Sequence, residues 1–351
     1  MSLSIDQRLP GSVRRYMMVR RSTFQVTKCT VPRQPLDEFL NLDIEFDFST
    51  VTPIVPDEIG EVALVTVHFN PTGSRRLSET FWEWLPSLGV LRDVLQVVEV
   101  TFPKSTRSIE FARVIEGGPQ HWMWQKEAMI NRVIANLPPN ITMVGWIDHD
   151  LCLTRRSWLV DAIELLRKGA DAVQLFERVI FLDMNHREIH QRGGRVAGLK
   201  TTRGGGCPGG AWIAKRSLLE TMGGLPITNV VGSGDEIFAQ ALLGPPADGQ
   251  LKSTLFDTSP GLVASYQDYI AQGRSLDPNV RHVRSLAYHL WHGRKEDRQY
   301  LSREAILKRH CFDPAEDIAI DPNGLLRWAS DKPELHREVR EYFVNRRDDE
   351  P

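Results

Sequence analysis

Cysteine is scarce in this 351-residue chain: Cys29, Cys152, Cys207 and Cys311 lie far apart, with no C-x-x-C pair. That usage argues against a zinc ribbon and a disulfide framework, and suits a reducing cytosol. No apolar run approaches the ~20 residues that span a bilayer, and no apolar stretch follows the arginine-bearing start as a secretory leader would require. A soluble, cytoplasmic protein without membrane contact is therefore expected. Charge of one sign is not in excess, and the net charge of −2 gives no global signature of a nucleic-acid binder. Internal repeats and long low-complexity tracts are missing, which excludes repeat arrays. Nothing in the composition calls for an obligate protein partner.

What charge there is falls unevenly. Residues 1 to 35 carry Arg8, Arg14, Arg15, Arg20, Arg21, Lys28 and Arg33 against a lone Asp6, whereas residues 36 to 61 hold eight acids and no base. Such a switch marks an appendage. We divide the chain into a partly irregular N-terminal arm (1–58), a main domain (59–295) and a helical C-terminal extension (296–351).

The main domain reads as strands alternating with helices. Glu61 to Phe69 has the β-branched content of a buried strand and ends at Asn70-Pro71-Thr72-Gly73. Leu77, Phe81, Trp84, Leu85 and Leu88 follow at helical spacing, then a strand over Val94 to Phe102 and a helix over Trp124 to Leu137 stopped by Pro138-Pro139. Thr142 to Ile147 is the next strand, Trp158 to Lys168 the next helix, and Ala172 to Leu182 a further strand. This order predicts an α/β fold with a mostly parallel sheet covered on both faces. Ligands of such sheets bind beyond the carboxyl ends of the strands, where His68, Glu99 and Asp148 fall.

Asp148-His149-Asp150 closes the apolar run Val144 to Ile147. On an extended strand the spacing turns both acids to one side, where they could hold Mn²⁺ or Mg²⁺ against a diphosphate. Asp150 is expected in direct contact with the cation, and Asp148 beside it, toward a ribose or the cation's hydration shell. A third ligand must come from elsewhere in the chain: His292, or alternatively His289, in His289-Leu290-Trp291-His292-Gly293. Lys126, with Asn131 on the same side of its helix, is expected to touch a diphosphate oxygen. Asp235 and Glu236 open a helix after Val230-Val231-Gly232-Ser233-Gly234, where a carboxylate could act as general base, Asp235 ahead of Glu236. Arginines and glycines interleave from Arg187 to Gly210, including Arg195, Lys200 and Arg203, as in a mobile anion-seeking loop.

Together, Trp124-Gln125-Lys126-Glu127, Asn131 and Trp146 to Asp150 resemble the donor half of GT-A fold glycosyltransferases. Gly209-Gly210-Ala211-Trp212 through Arg216, Met222 to Leu225 and Gly234-Asp235-Glu236 are similar to the acceptor half of family 2 members. The resemblance covers about residues 60 to 295. It implies a GT-A, Rossmann-like fold and an inverting transfer from a nucleotide-diphospho-sugar, a UDP-sugar foremost, with Gly210 and Trp212 adding to the donor site. A narrower likeness joins His289 to Gly293, Arg298-Gln299-Tyr300, Arg303, Phe312-Asp313-Pro314, Gly324-Leu325 and Tyr342 to the TET/JBP-associated, base-J type glycosyltransferases. That likeness implies a hydroxymethylated pyrimidine in DNA as acceptor, with Arg195, Arg203, Arg294 and Arg298 meeting the backbone. A glycan or small hydroxylated molecule is the alternative acceptor. A non-catalytic glycan- or nucleic-acid-binding module is the rival class.

Overall fold

The computed structural model describes residues 52–103, 105, 107–198, 206–245, 255–300 and 302–350. Residues 1–51 of the expected arm, and Lys200 and Arg203 of the arginine-glycine stretch, lie outside the described residues. The strands, in chain order, are β1 (Val62–Phe69), β2 (Leu95–Thr101), β3 (Arg113–Glu116), β4 (Met143–Ile147), β5 (Leu151–Leu153), β6 (Ala172–Gln174), β7 (Arg178–Leu182), β8 (Glu188–Gly193), β9 (Ala211–Lys215), β10 (Val280–His282), β11 (Leu286–His289), β12 (Ile318–Ile320) and β13 (Leu326–Trp328).

Seven of them form the central sheet in the order β10-β6-β9-β4-β1-β2-β3. β1 pairs in parallel with both β2 and β4, and β9 runs antiparallel between β4 and β6. The result is the expected mixed α/β fold with a mostly parallel sheet. Buried on both faces, β1 is almost wholly apolar, as central parallel strands are. Alternation along the strands divides the interior into two cores. Val65, Val144, Trp146 and Trp212 pack with Met129 and Ile130 of the Lys126–Ala135 helix, while Leu64, Ile147 and Ile213 pack with Phe81 and Trp84 of the Arg75–Trp84 helix and Leu159 of the Trp158–Arg167 helix.

Two expectations about local structure change. Ala172 to Leu182 is not one strand: β6 belongs to the central sheet, whereas β7 joins a second sheet, β5-β11-β7-β8. The Gln174 amide nitrogen donates to the Cys207 carbonyl (2.8 Å) at the point where the chain passes between sheets. A continuous apolar run conceals such a crossing, since both halves are buried. Likewise, the arginine-glycine stretch begins as β8, paired antiparallel with β7.

The C-terminal extension is helical only in part, because β12 and β13 form a hairpin between its helices. It does not stand apart from the main domain. Gln125 exchanges two side-chain hydrogen bonds with the backbone of Leu326 (2.7 and 2.8 Å), and Phe312, Leu326, Val339 and Phe343 enter the same core as Val65. Cys152, Cys207 and Cys311 are free thiols, and Cys29 lies outside the described residues. Among the described residues no helix is long and apolar enough to cross a membrane.

Candidate active site

The carboxyl ends of β1, β2 and β4 place His68, Glu99 and Asp148 along one sheet edge, with His68 directly opposite Glu99 in the register. The acid triplet is not extended. β4 ends at Ile147, and Asp148 to Asp150 form a turn closed by a Leu151 N–H to Asp148 carbonyl bond of 3.0 Å. A turn destroys the period-two geometry that would have put both carboxylates on one side. The two acids consequently lead to two different clusters.

Asp150 enters a metal-type cluster. Its Oδ2 lies 2.6 Å from His292 Nε2 and 3.6 Å from His289 Nε2, and one ligand atom from each of the three residues lies within 4.8 Å of the others. β11 carries His289 beside β5, and the Leu290 N–H donates to the Asp150 carbonyl at 2.7 Å, locking the late turn onto the triplet. Burial and the Arg298 guanidinium hold the His292 imidazole well below the usual histidine range, hence neutral and able to offer a lone pair. Burial pushes the Asp150 carboxyl up, but the neighbouring His289 and His292 rings outweigh it and keep the group well below the ordinary carboxylate range. Two neutral imidazoles and one carboxylate suit a divalent cation of the Mn²⁺ type. Metal–ligand bonds of ~2.1 Å put adjacent ligands about 3 Å apart, so the observed spacing needs only small adjustment. His289, the lesser of the two sequence candidates, thus stands beside His292.

Asp148 enters the second cluster, around Lys126. The Lys126 Nζ lies 3.3 Å from Asp148 Oδ1, 2.8 Å from Asp235 Oδ2 and 3.9 Å from Glu127 Oε1. Burial would lower the lysine pKa, but Asp148, Asp235 and Glu127 together raise it well above the ordinary value. Burial drives Asp148 and Glu127 the other way, each up to about 7, against the pull of Lys126. Glycine makes room here: a Cβ on Gly209 would lie 2.7 Å from Asp235 Cγ, and one on Gly234 would lie 2.6 Å from Glu127 Oε1. The loop before Asp235 is held by Arg303, whose Nη2 donates to Ser233 Oγ (2.6 Å), with Ser233 at φ +79°.

Glu127 and Arg303 were not among the candidate site residues. Glu127 reads locally as an ordinary first-turn acid, and no spacing signal links residue 303 to residue 233.

The remaining candidates fall elsewhere. Glu99 accepts from Ser108 N–H and Oγ–H (2.7 Å each) and from Ile109 N–H (3.2 Å), so its carboxylate is occupied in holding a loop. Asn131 makes a two-way clamp with the Leu225 backbone (2.7 and 2.8 Å), and Gly224, at φ +93°, has no space for a Cβ against it. Trp212 is buried core: its Nε1 donates to the Pro208 carbonyl and Phe238 meets it edge-on. Gly210, at φ +95°, accepts the Asp148 N–H at 2.7 Å and thereby shapes the acid turn. His68 is buried against His149, Nδ1 to Nε2 3.3 Å, and burial with the His149 charge holds it well below the usual histidine range.

Glu236 does not join Asp235. It is buried, 3.4 Å from Arg195 Nη2, and accepts from Gln240 at 2.9 Å. Arg195 is 8% exposed and also donates to the Gly244 carbonyl, so it cannot meet a polymer backbone as expected. Arg298 lies against His292 and donates to Tyr300 Oη at 3.3 Å, and Arg294 is exposed.

No family model matches the chain, and no curated protein matches it. Among solved structures it is similar to glucosyl-3-phosphoglycerate synthase from Mycobacterium tuberculosis in complex with Mn²⁺, UDP and phosphoglyceric acid, at 16% identity and a TM-score of 0.34 over 72% of this chain and 77% of that one. It is also similar to a mannosyltransferase from Pyrobaculum calidifontis in complex with GDP-Man and Mn²⁺, at 16% identity and a TM-score of 0.38 over 84% and 74%. Overlaps of this size leave the chemistry to be read from the site itself.

Proposed function

We propose that the chain is a metal-dependent glycosyltransferase of the GT-A type, moving a sugar from a nucleotide-diphospho-sugar to a hydroxyl acceptor with inversion. The observation that carries the reading is convergence. Asp150 and His292, 142 positions apart by number, meet at 2.6 Å, and Lys126 joins the acid turn to Asp235 a few ångströms away. Asp150, His289 and His292 would hold the cation, which supplies Lewis acidity toward a departing diphosphate. Asp235 is the base: the acceptor oxygen attacks the anomeric carbon, the bond from that carbon to the diphosphate oxygen breaks, and the hydroxyl proton passes to the carboxylate. Lys126, whose Nζ lies 2.8 Å from Asp235 Oδ2, orients that carboxylate.

The acceptor is a hydroxyl compound whose class the arginines narrow. A hydroxymethylated pyrimidine in DNA was expected from four arginines; of the three described, Arg195 is consumed by Glu236 and Arg298 lies on His292, while Arg294 is exposed. A small molecule or glycan is therefore the favoured acceptor, and DNA is an outcome of the test. The test is nucleotide release from a panel of UDP- and GDP-sugars with Mn²⁺, compared with Asp150→Ala, followed by mass measurement of candidate acceptors including hydroxymethylated oligonucleotide. Manganese-dependent release that Asp150→Ala abolishes is expected; no release from any donor overturns the reading. A hexose-sized gain on the oligonucleotide would restore the DNA acceptor.

A further inference from the structure

We propose that Asp348, in the segment after the Pro333–Asn345 helix, is a positioning residue that fixes the metal-binding tautomer of His292; this rests on the reading of Asp150, His289 and His292 as a cation site. An imidazole that gives Nε2 to a cation must carry its proton on Nδ1, and a hydrogen-bond acceptor there sets the ring's tautomer and angle. Two groups face His292 Nδ1. Arg298 Nη2 lies 2.7 Å away, but a guanidinium is a donor only. The same nitrogen also lies 2.9 Å from Nε2 and 3.0 Å from the His292 carbonyl oxygen, so it rests against the ring without selecting either nitrogen. The Asp348 carboxylate is an acceptor facing Nδ1, with Oδ1 3.9 Å away and outside hydrogen-bond reach as it stands.

Three features hold Asp348 there. Its neighbour Asp349 accepts from Ser74 Oγ–H (2.7 Å), Arg76 N–H (2.7 Å) and Arg75 N–H (3.2 Å), which ties the segment to the first turn of the Arg75–Trp84 helix. Gly293, at φ +95°, would put a Cβ 3.0 Å from Asp348 Cα, so only glycine after His292 admits so close an approach. Arg346 Nη2 lies 3.4 Å from Asp348 Oδ1 and balances its charge where the side chain is only 5% exposed. A charge-assisted bond of ~2.8 Å needs the carboxylate to close by about 1 Å as Arg298 gives way. Cation loading thereby draws this segment against the His289–Gly293 turn.

The experiment is Mn²⁺ titration followed by electron paramagnetic resonance, with the metal-free thermal midpoint measured alongside. Asp348→Asn, an isosteric change, is expected to weaken Mn²⁺ binding about 10–100-fold and, by unpairing Arg346, to lower the metal-free midpoint; Arg346→Met, which breaks the same pair but keeps the carboxylate, is expected to bind Mn²⁺ as the wild type does. Asp348→Glu, which keeps the carboxylate and can span the gap, is expected to bind as the wild type does. Unchanged affinity in Asp348→Asn, a Glu variant as weak as the Asn variant, or an Arg346→Met variant as weak as the Asn variant overturns the proposal. Wild-type protein that binds no Mn²⁺ overturns the cation site itself, and the proposal with it.

Discussion

Replacing Lys126 by methionine tests the centre of the site, because it removes the ammonium and keeps most of the side-chain volume. Three carboxylates then face one another, with Glu127 buried and the Asp148 and Asp235 side chains 30% and 28% exposed. At an effective dielectric of ~20 a unit charge pair is worth about 6 kcal/mol at the Asp235 distance of 2.8 Å and about 5 kcal/mol at the Asp148 distance of 3.3 Å. Desolvation offsets much of that gross attraction, and the measured cost of orphaning one side of a buried pair is about 3–5 kcal/mol.

The cost depends on pH. Asp148 and Glu127 sit at about 7 in the folded protein, above their ordinary values of 3.8 and 4.5, so folding favours their protonated forms. Their contribution to stability is complete at low pH and is lost as the pH rises through about 7. Without Lys126, which pulls both values down, they rise further. At pH 5 the acids are then neutral and the substitution costs little; at pH 8 the folded state must hold protons that the unfolded chain has released, or bear unpaired charge, and the full penalty appears. Urea unfolding of wild type and Lys126→Met at pH 5 and pH 8 measures this. A difference of about 3–5 kcal/mol at pH 8, shrinking toward pH 5, is expected. A cost below about 1 kcal/mol, within the range of an exposed ion pair, or one equal at both pH values, would refute the electrostatic account.

Other predictions are independent of that cluster or probe it sterically. Arg195→Met should destabilise by about 3–5 kcal/mol by leaving the Glu236 carboxylate buried without its opposite charge, measured by chemical denaturation; a stable variant would show that the Arg195–Glu236 pair contributes little to the fold. His289→Ala should weaken Mn²⁺ binding by at least the ~10–100-fold that loss of an outer-shell partner costs, read by calorimetric titration, and unchanged affinity removes His289 from the ligand set. Gly209→Ala should displace Asp235 and cost about 1–3 kcal/mol of stability by overpacking, with turnover falling further than folding; equal turnover would place the base elsewhere. Asn131→Ala should cost about 1–3 kcal/mol through the unpaired Leu225 backbone groups, seen in thermal unfolding, with donor hydrolysis per folded molecule retained.

The legibility of the chain varied with the range of the interactions involved. β1, β4 and the Lys126–Ala135 helix were readable within a residue or two, since their apolar periodicity is local and their ends are marked by Pro71 or Pro138. The split of β6 from β7 was not readable, because a run buried in two sheets has the same composition as a run buried in one. Glu99 and Asn131 were placed at the correct sheet edge and helix, yet their polar atoms, like the Trp212 indole nitrogen, are taken by structural partners, Ser108, Leu225 and Pro208. Those partners are set by loop paths that have no periodic signature.

By itself the sequence determined the alternation of strands and helices, the position of the acid triplet after β4, and the supply of imidazoles and carboxylates from which a cation site could be made. Residue type and short-range spacing suffice for those, because backbone geometry repeats every two or 3.6 residues. Only the tertiary structure decided that Asp148 goes to Lys126 and Asp235 while Asp150 goes to His289 and His292, and that Arg195 is consumed by Glu236. Such pairings depend on which distant segments the sheet order brings together, and on turns that rotate two neighbouring carboxylates toward different partners.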